Sequence, residues 1–257
     1  MSNEVAKKED KNALALAEMF AGVKDGFTGK VDASTSTIPF IKLMQALSPE
    51  IKKKGAEYVE GAELGMFLNS VTKTLYGESV RVIPVLFEPM FVEWKPNRGG
   101  FAGRHTIAEA RKLTTTEEFG KWQTEQGNLL IETYMYYFLL PDHLEDGLVA
   151  IALASSNIKQ AKMLNTLVSR KFFPNTAKVA PSFVQVYNMK SVEASNDKGD
   201  WYQPSFSFDS FVTPEVAEMA VGMLKSLRAG DIKADMSQMD DSRFEYDGAD
   251  EVVDEAF

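Results

Sequence analysis

The amino-acid sequence predicts a mostly antiparallel β fold with helical additions, and three observations point there. Short runs rich in branched and aromatic residues recur along the body of the chain, which carries only two helix-like runs. Strands and helices do not alternate as a doubly wound sheet would require. A small Greek-key barrel and an α+β sandwich both satisfy this pattern, and residue types alone do not choose between them. At 257 residues the chain can bury a sizeable core as one elaborated domain.

The elements follow in order. A largely polar stretch of twelve residues precedes Ala13–Phe20, an alanine- and leucine-rich stretch that reads as a short helix broken by Gly22, Gly26 and Gly29. Residues 1–37 therefore read as a flexible arm feeding into Ile38-Pro39-Phe40-Ile41. Strand runs come next: Leu64–Leu68, Val80–Phe87 and Met90–Trp94, with Pro84 and Pro89 marking edges or bulges. Leu129–Leu140, holding Tyr134, Tyr136, Tyr137 and Phe138, is a long strand, and Gly147–Ser155 is another. Ser156-Asn157 opens the helical run Ile158–Val168, in which Ile158, Lys162 or Met163, Leu164 and Leu167 do not share one face. Phe183–Val192 and Trp201–Phe208 read as a hairpin joined by the polar connection Glu193–Asp200. A final helix is well signposted. Thr213 caps it, Pro214 needs no amide partner in the first turn, and Glu215 suits the positive end. Val216, Met219, Ala220, Met223, Leu224 and Leu227 form its apolar stripe, and Gly230 ends it. Residues 38–230 are thus the expected core, and 231–257 lose the core-forming pattern.

Composition removes several chemistries. With no cysteine there is no disulfide, no thiolate nucleophile and no thiolate metal site. The two histidines, His105 and His143, would need carboxylates to complete a metal site. Glu57, Glu60 and Glu63 recur every third residue but are interrupted by glycine and read as a charged turn. The polar connection Pro141–Asp146 around His143 has no recognisable nucleophile. No reaction and no cofactor is expected. The N-terminus is not signal-like, and no apolar run approaches the roughly 20 residues that span a bilayer. The expectation is an intracellular protein without a membrane.

Charge is distributed unevenly. The chain carries a formal net charge of -9, and residues 231–257, with ten acidic and two basic residues, hold -8 of it, leaving the body near neutral. So acidic a tail stays extended and solvated. Within the body, Gly147–Val192 contains no acidic residue but includes Lys159, Lys162, Arg170, Lys171, Lys178 and Lys190, with Phe172, Phe173 and Tyr187 among them. A second cluster, Trp94–His105, combines Lys95, Arg98 and Arg104 with Trp94, Phe101 and three glycines. Cations that hold phosphates beside rings that stack on unpaired bases suit single-stranded nucleic acid. On that reading Lys95, Arg98, Arg104, Lys159, Lys162, Arg170 and Lys171 meet phosphates, and Trp94, Phe101 and Trp201 stack on bases. The plainer readings are a solvated helix face with core phenylalanines, and a mobile hairpin loop kept soluble by its charge.

The tail ends Asp250-Glu251-Val252-Val253-Asp254-Glu255-Ala256-Phe257. Together with the hairpin Asn196-Asp197-Lys198-Gly199-Asp200-Trp201-Tyr202, it resembles the single-stranded DNA-binding proteins encoded by bacteriophages. That family has an OB-type barrel and an acidic tail with a terminal aromatic residue. The resemblance is general through residues 38–208 and sharper in the tail. It implies an OB-like Greek-key core that binds single-stranded DNA without sequence preference in replication or recombination, in the cytoplasm of an infected bacterial host. It also implies that Asp254, Glu255 and Phe257 contact replication proteins such as DNA polymerase or helicase, and it allows a homo-oligomer. The rival is a nonenzymatic phage structural or protein-interaction protein, whose tail recruits partners while its body binds protein instead of DNA.

Overall fold

A computed structural model describes residues 37–96, 99–115, 122–197 and 199–236, and Met19 besides. The chain divides into two units, Met1–Ser36 and Thr37–Phe257, and every element named here belongs to the second. In chain order these are β1 (Ile41–Leu43), β2 (Phe67–Asn69), β3 (Leu75–Gly77), β4 (Ser79–Trp94), β5 (Phe101–His105), α1 (Ile107–Leu113), β6 (Trp122–Gln123), β7 (Leu129–Leu139), β8 (Leu148–Ala154), α2 (Ile158–Ser169), β9 (Gln185–Asn196), β10 (Gly199–Phe211) and α3 (Pro214–Ala229). The expected helix Ala13–Phe20 lies outside the described residues.

The ladder between β4 and β7 is the spine of the molecule. It runs antiparallel from Ile83 opposite Leu139 to Trp94 opposite Leu129, with one bulge between Pro84 and Leu86. The two strand runs expected on either side of Pro84 and Pro89 are thus one continuous strand. Both prolines are tolerated because, over residues 83–90, β4 has β7 on one side and, among the described residues, no strand on the other. β9 and β10 extend the sheet beyond the start of β4, β8 extends it beyond the second half of β7, and β5 and β6 flank the other end of the spine. The strands β1, β2 and β3 form a separate small sheet.

The large sheet is open. β10 and β8 are its opposite margins, and among the described residues no ladder joins them, so the expected OB-like Greek-key barrel is overturned. The physical reason is that apolar side chains leave the sheet on both faces. One face packs Ile83, Val85, Val92, Trp94 and Tyr137 against Val216, Ala220, Met223 and Leu224 of α3. The other packs Val82, Tyr136, Phe138, Ile151 and Leu153 against Ala161 and Leu164 of α2. A small barrel has one apolar interior, whereas two apolar faces demand a helix layer on each, at about 1.5–3 kcal/mol per fully buried large side chain. The result is a mixed α/β fold rather than a barrel or a two-layer sandwich.

The margin at β10 is guarded. Gln45 donates from Nε2 to the Tyr202 carbonyl and accepts the Tyr202 amide at Oε1, both at 2.9 Å, so a side chain replaces a neighbouring strand. The loop carrying Gly65 passes so close that a Cβ there would lie 2.7 Å from the Tyr202 ring, and φ of +77° independently favours glycine. The connection expected at Glu193–Asp200 is mostly strand, because β9 and β10 continue in register out to Asn196 opposite Gly199 as an exposed two-stranded ribbon. α3 begins and ends where its sequence indicates, with Thr213 in the N-cap position but making no side-chain capping hydrogen bond, Pro214 in the first turn and Gly230 at φ +76°.

Candidate partner-docking surface

α2 leaves the end of β8 and crosses one face of the sheet. Its inward residues, Gln160, Ala161 and Leu164, with Leu167 partly buried, repeat at helical spacing. Tyr136 anchors it from below, its hydroxyl lying 2.8 Å from Asn165 Oδ1 and 3.0 Å from the Ala161 carbonyl. Burial pushes the Tyr136 phenol well above its ordinary range, so it stays a neutral donor. The complementary spacing, Lys159, Lys162, Met163, Thr166, Ser169 and Arg170, points outward and is exposed. The conflict in the sequence of this helix therefore resolves with Leu164 in and Met163 out, at 42% exposure.

The chain then turns back on itself in a miniature antiparallel excursion. The Ala180 amide donates to the Lys171 carbonyl at 2.8 Å and the Phe173 amide to the Lys178 carbonyl at 3.0 Å, with Phe172 opposite Val179. Neighbouring residues on an extended strand point to opposite sides. Phe173 accordingly stacks on Phe211 with ring centroids 5.5 Å apart, while Phe172 is 48% and Val179 50% exposed. Lys171 places its ammonium 3.1 Å from the centre of the Phe208 ring, and that cation–π contact ties the excursion to β10. Among the described residues, Lys159, Lys162, Arg170 and Lys178 have no ion-pair partner. Arg81, in contrast, is held between Asp142 and Asp209.

The second basic cluster is built differently. Trp94 is 3% exposed and belongs to the core beneath α3, with Phe101 edge-on to it at 6.3 Å. Lys95 and Arg104 are exposed, and Arg98 lies outside the described residues. Arg104 is opposite Val92, and cross-strand partners share a face, so Arg104 leaves the sheet on the α3 side while α2 lies on the other. The fold thus leaves Lys159, Lys162 and Arg170 exposed along α2 and at its end, turns Lys171 to the Phe208 ring, and puts Arg104 on the opposite side of the sheet. Trp201 is half-buried on the β9–β10 ribbon, with its indole nitrogen enclosed. Asp254, Glu255 and Phe257 lie outside the described residues.

β5 is clamped to β4 from the α2 side. His105 Nε2 lies 2.7 Å from Glu93 Oε2, and Asn128 donates to Glu93 Oε1 at 2.6 Å. Burial works to raise the Glu93 carboxyl, but these hydrogen bonds and the His105 charge outweigh it and hold the group below its ordinary value. Directly after β5, Thr106 and Glu109 form a capping box that starts α1, a helix the sequence reading missed although Thr-x-x-Glu announces it. Two other features escaped that reading: Met163 and Val179 as exposed apolar members of the α2 surface.

The fold defines a mixed α/β protein built on one open antiparallel sheet. Among the described residues no group of three or more His, Asp or Glu side chains is placed to hold a metal ion, and no helix is long and apolar enough to cross a membrane. Residues 7–233 match the family described as Pam3 phage gp34-like protein, and the chain belongs to that phage-associated family. No curated protein and no solved structure matches the chain.

Proposed function

We propose that this chain is a non-enzymatic phage interaction protein, whose α2 surface docks an acidic segment of a partner protein that also carries apolar side chains. One observation carries the reading. Met163, Phe172 and Val179 are exposed among Lys159, Lys162, Arg170 and Lys178, on a stretch of chain without an acidic residue. Exposed cations give speed and orientation to an encounter, and apolar anchors among them hold what arrives. Aliphatic anchors such as Met163 and Val179 have no counterpart in a sugar–phosphate chain but fit apolar side chains of a peptide. The family membership agrees with a phage protein.

Single-stranded DNA is the second reading, and the exposed Phe172 ring beside Arg170 and Lys178 favours it. A side-by-side titration separates the two. The full chain is titrated with two labelled anions of equal net charge, an oligothymidylate and an acidic peptide interspersed with valine and phenylalanine. The protein reading expects the peptide to bind more tightly, and Met163→Ser with Phe172→Ser to weaken it about tenfold or more. Tighter binding of the oligonucleotide, with a salt dependence that shrinks in Lys159→Glu and Lys162→Glu, overturns it in favour of DNA.

A further inference from the structure

The outward side of α2 restricts the conformation of whatever segment covers it. We infer that the partner segment docks as an amphipathic α-helix of about three turns lying along α2, with acids flanking an apolar stripe. The inference deepens the proposed function, on which it rests, by assigning the shape of the partner.

The layout of the helix is the first support. At about 100° per residue, Thr166 stands opposite the buried Gln160, Ala161 and Leu164. Lys159 lies one heptad before it on the same line, Lys162 and Ser169 flank it on one side, and Met163 and Arg170 flank it on the other. All six are exposed. A small side chain thus sits at the crest between longer ones, which is the shape that lets a second helix axis come close.

The polar groups of this side agree with close covering. Thr166 Oγ1 donates to the Lys162 carbonyl at 2.9 Å, and Ser169 Oγ donates to the Thr166 carbonyl at 3.2 Å. Turned back onto their own helix, these hydroxyls need no water as a partner, so covering them orphans no donor. The charges agree as well. α2 contains no acidic residue, and Lys159 stands in its first turn, near the positive end of the helix, with the like charge of Lys162 three residues on. Both placements are unfavourable for the free helix. Carboxylates on a partner reverse that balance.

The backbone decides between a helix and a strand. The amides and carbonyls of α2 are engaged in their own ladder, so this surface offers side chains and no rung to pair with. An extended segment laid on it would keep its own backbone in need of water, which holds it off the surface. A helix brings its backbone bonds with it and repeats its side chains at the same spacing as α2. From Lys159 to Arg170 the rise is about 17 Å, or about three turns. Acids at the ends and flanks of such a helix meet Lys159, Lys162 and Arg170, while leucine-sized side chains between them cover Met163 and Thr166.

Two labelled peptides of about 16 residues, alike in composition and net charge, test this against the full chain. The first places its glutamates and leucines on one helix face, and the second rearranges them to alternate strictly, as a strand requires. A third inserts a central proline into the first. The first should bind at least about tenfold more tightly than the other two and should gain helical circular dichroism on binding. Thr166→Arg separates packing from charge. It adds a cation at an exposed position and keeps good helix propensity, so attraction alone would tighten the first peptide. Close approach over Thr166 instead predicts binding weaker by about fivefold or more. Tighter binding in Thr166→Arg, or equal affinity for the alternating peptide, overturns the inference and leaves the proposed function standing, because an acidic segment still binds. If no peptide binds and an oligothymidylate does, both fall. Self-association of the chain that Thr166→Arg abolishes would give this side of α2 to a second copy and overturn the inference as well.

Discussion

Two basic clusters look alike as sequence and differ as structure. Lys95, Arg98 and Arg104 surround Trp94 and Phe101, while Lys159, Lys162, Arg170 and Lys171 accompany Met163 and Phe172. In the first, the rings turn inward and complete the core beneath α3, leaving cations around a turn with its apolar content withdrawn. In the second, a helix presents cations and an apolar side chain on the same outward spacing, and the excursion that follows it exposes a further ring. The difference teaches that charge composition locates candidate surfaces, but only the direction of the neighbouring apolar groups separates a docking surface from a charged loop.

That contrast can be broken most forcefully at the two aromatic positions. Trp94→Ala should lower unfolding free energy by about 3–5 kcal/mol, because it empties a core site. Phe172→Ala should stay within about 0.5 kcal/mol, because its ring is half in solvent. Urea titrations followed by tryptophan fluorescence check both, and comparable losses would erase the distinction.

Charge reversal tests the functional side of the same contrast. Lys159→Glu, Lys162→Glu and Arg170→Glu together should weaken the acidic peptide about tenfold or more, whereas Lys95→Glu with Arg104→Glu should change it less than about twofold. Anisotropy titrations at low salt read both. Equal losses would mean that long-range charge, rather than the α2 surface, governs the encounter.

A smaller effect concerns how the excursion is held. Lys171→Met keeps the aliphatic stem but removes the ammonium over Phe208, and should cost about 0.5–1 kcal/mol. Faster amide exchange at Phe173 and Ala180 would accompany it. The corresponding clamp at the other cluster is Glu93, and it is read through pH. Its carboxyl is depressed in the folded protein, so its contribution is complete above the ordinary glutamate range and is lost as pH falls through the folded value. Urea midpoints measured from pH 6 to about pH 3 should fall less steeply in Glu93→Gln than in the parent chain. Identical slopes would show that the His105 and Asn128 contacts contribute nothing.

Much of the fold was legible in the sequence. The strands followed branched and aromatic runs, and α3 was announced by Thr213, Pro214 and Gly230. The barrel was wrong, because the sheet is open, and the contrary signal was present: Met135–Leu140 and Leu148–Leu153 are apolar runs, buried on nearly every successive residue, as strands covered on both faces require. For the surface, the cations of α2 were legible because no acid interrupts them. The outward direction of Met163 was not, since Leu164 beside it competes for the same inward position. Whether Phe172 or Phe173 faces out depends on Phe211, far along the chain, which no local pattern encodes.

The central claim, that the α2 surface docks an acidic protein segment and the loop at residues 95–104 does not, is tested most directly by site-specific photo-cross-linking in infected host cells. A benzophenone side chain is placed in separate chains at Met163, at Phe172, at Arg104 and, as an exposed control on α1, at Ile107, which is 52% exposed. The account predicts a discrete protein adduct from positions 163 and 172, lost when Lys159, Lys162 and Arg170 are reversed, with none from 104 or 107. Nucleic-acid adducts alone at 163 and 172, or equal protein adducts at 104, would contradict it.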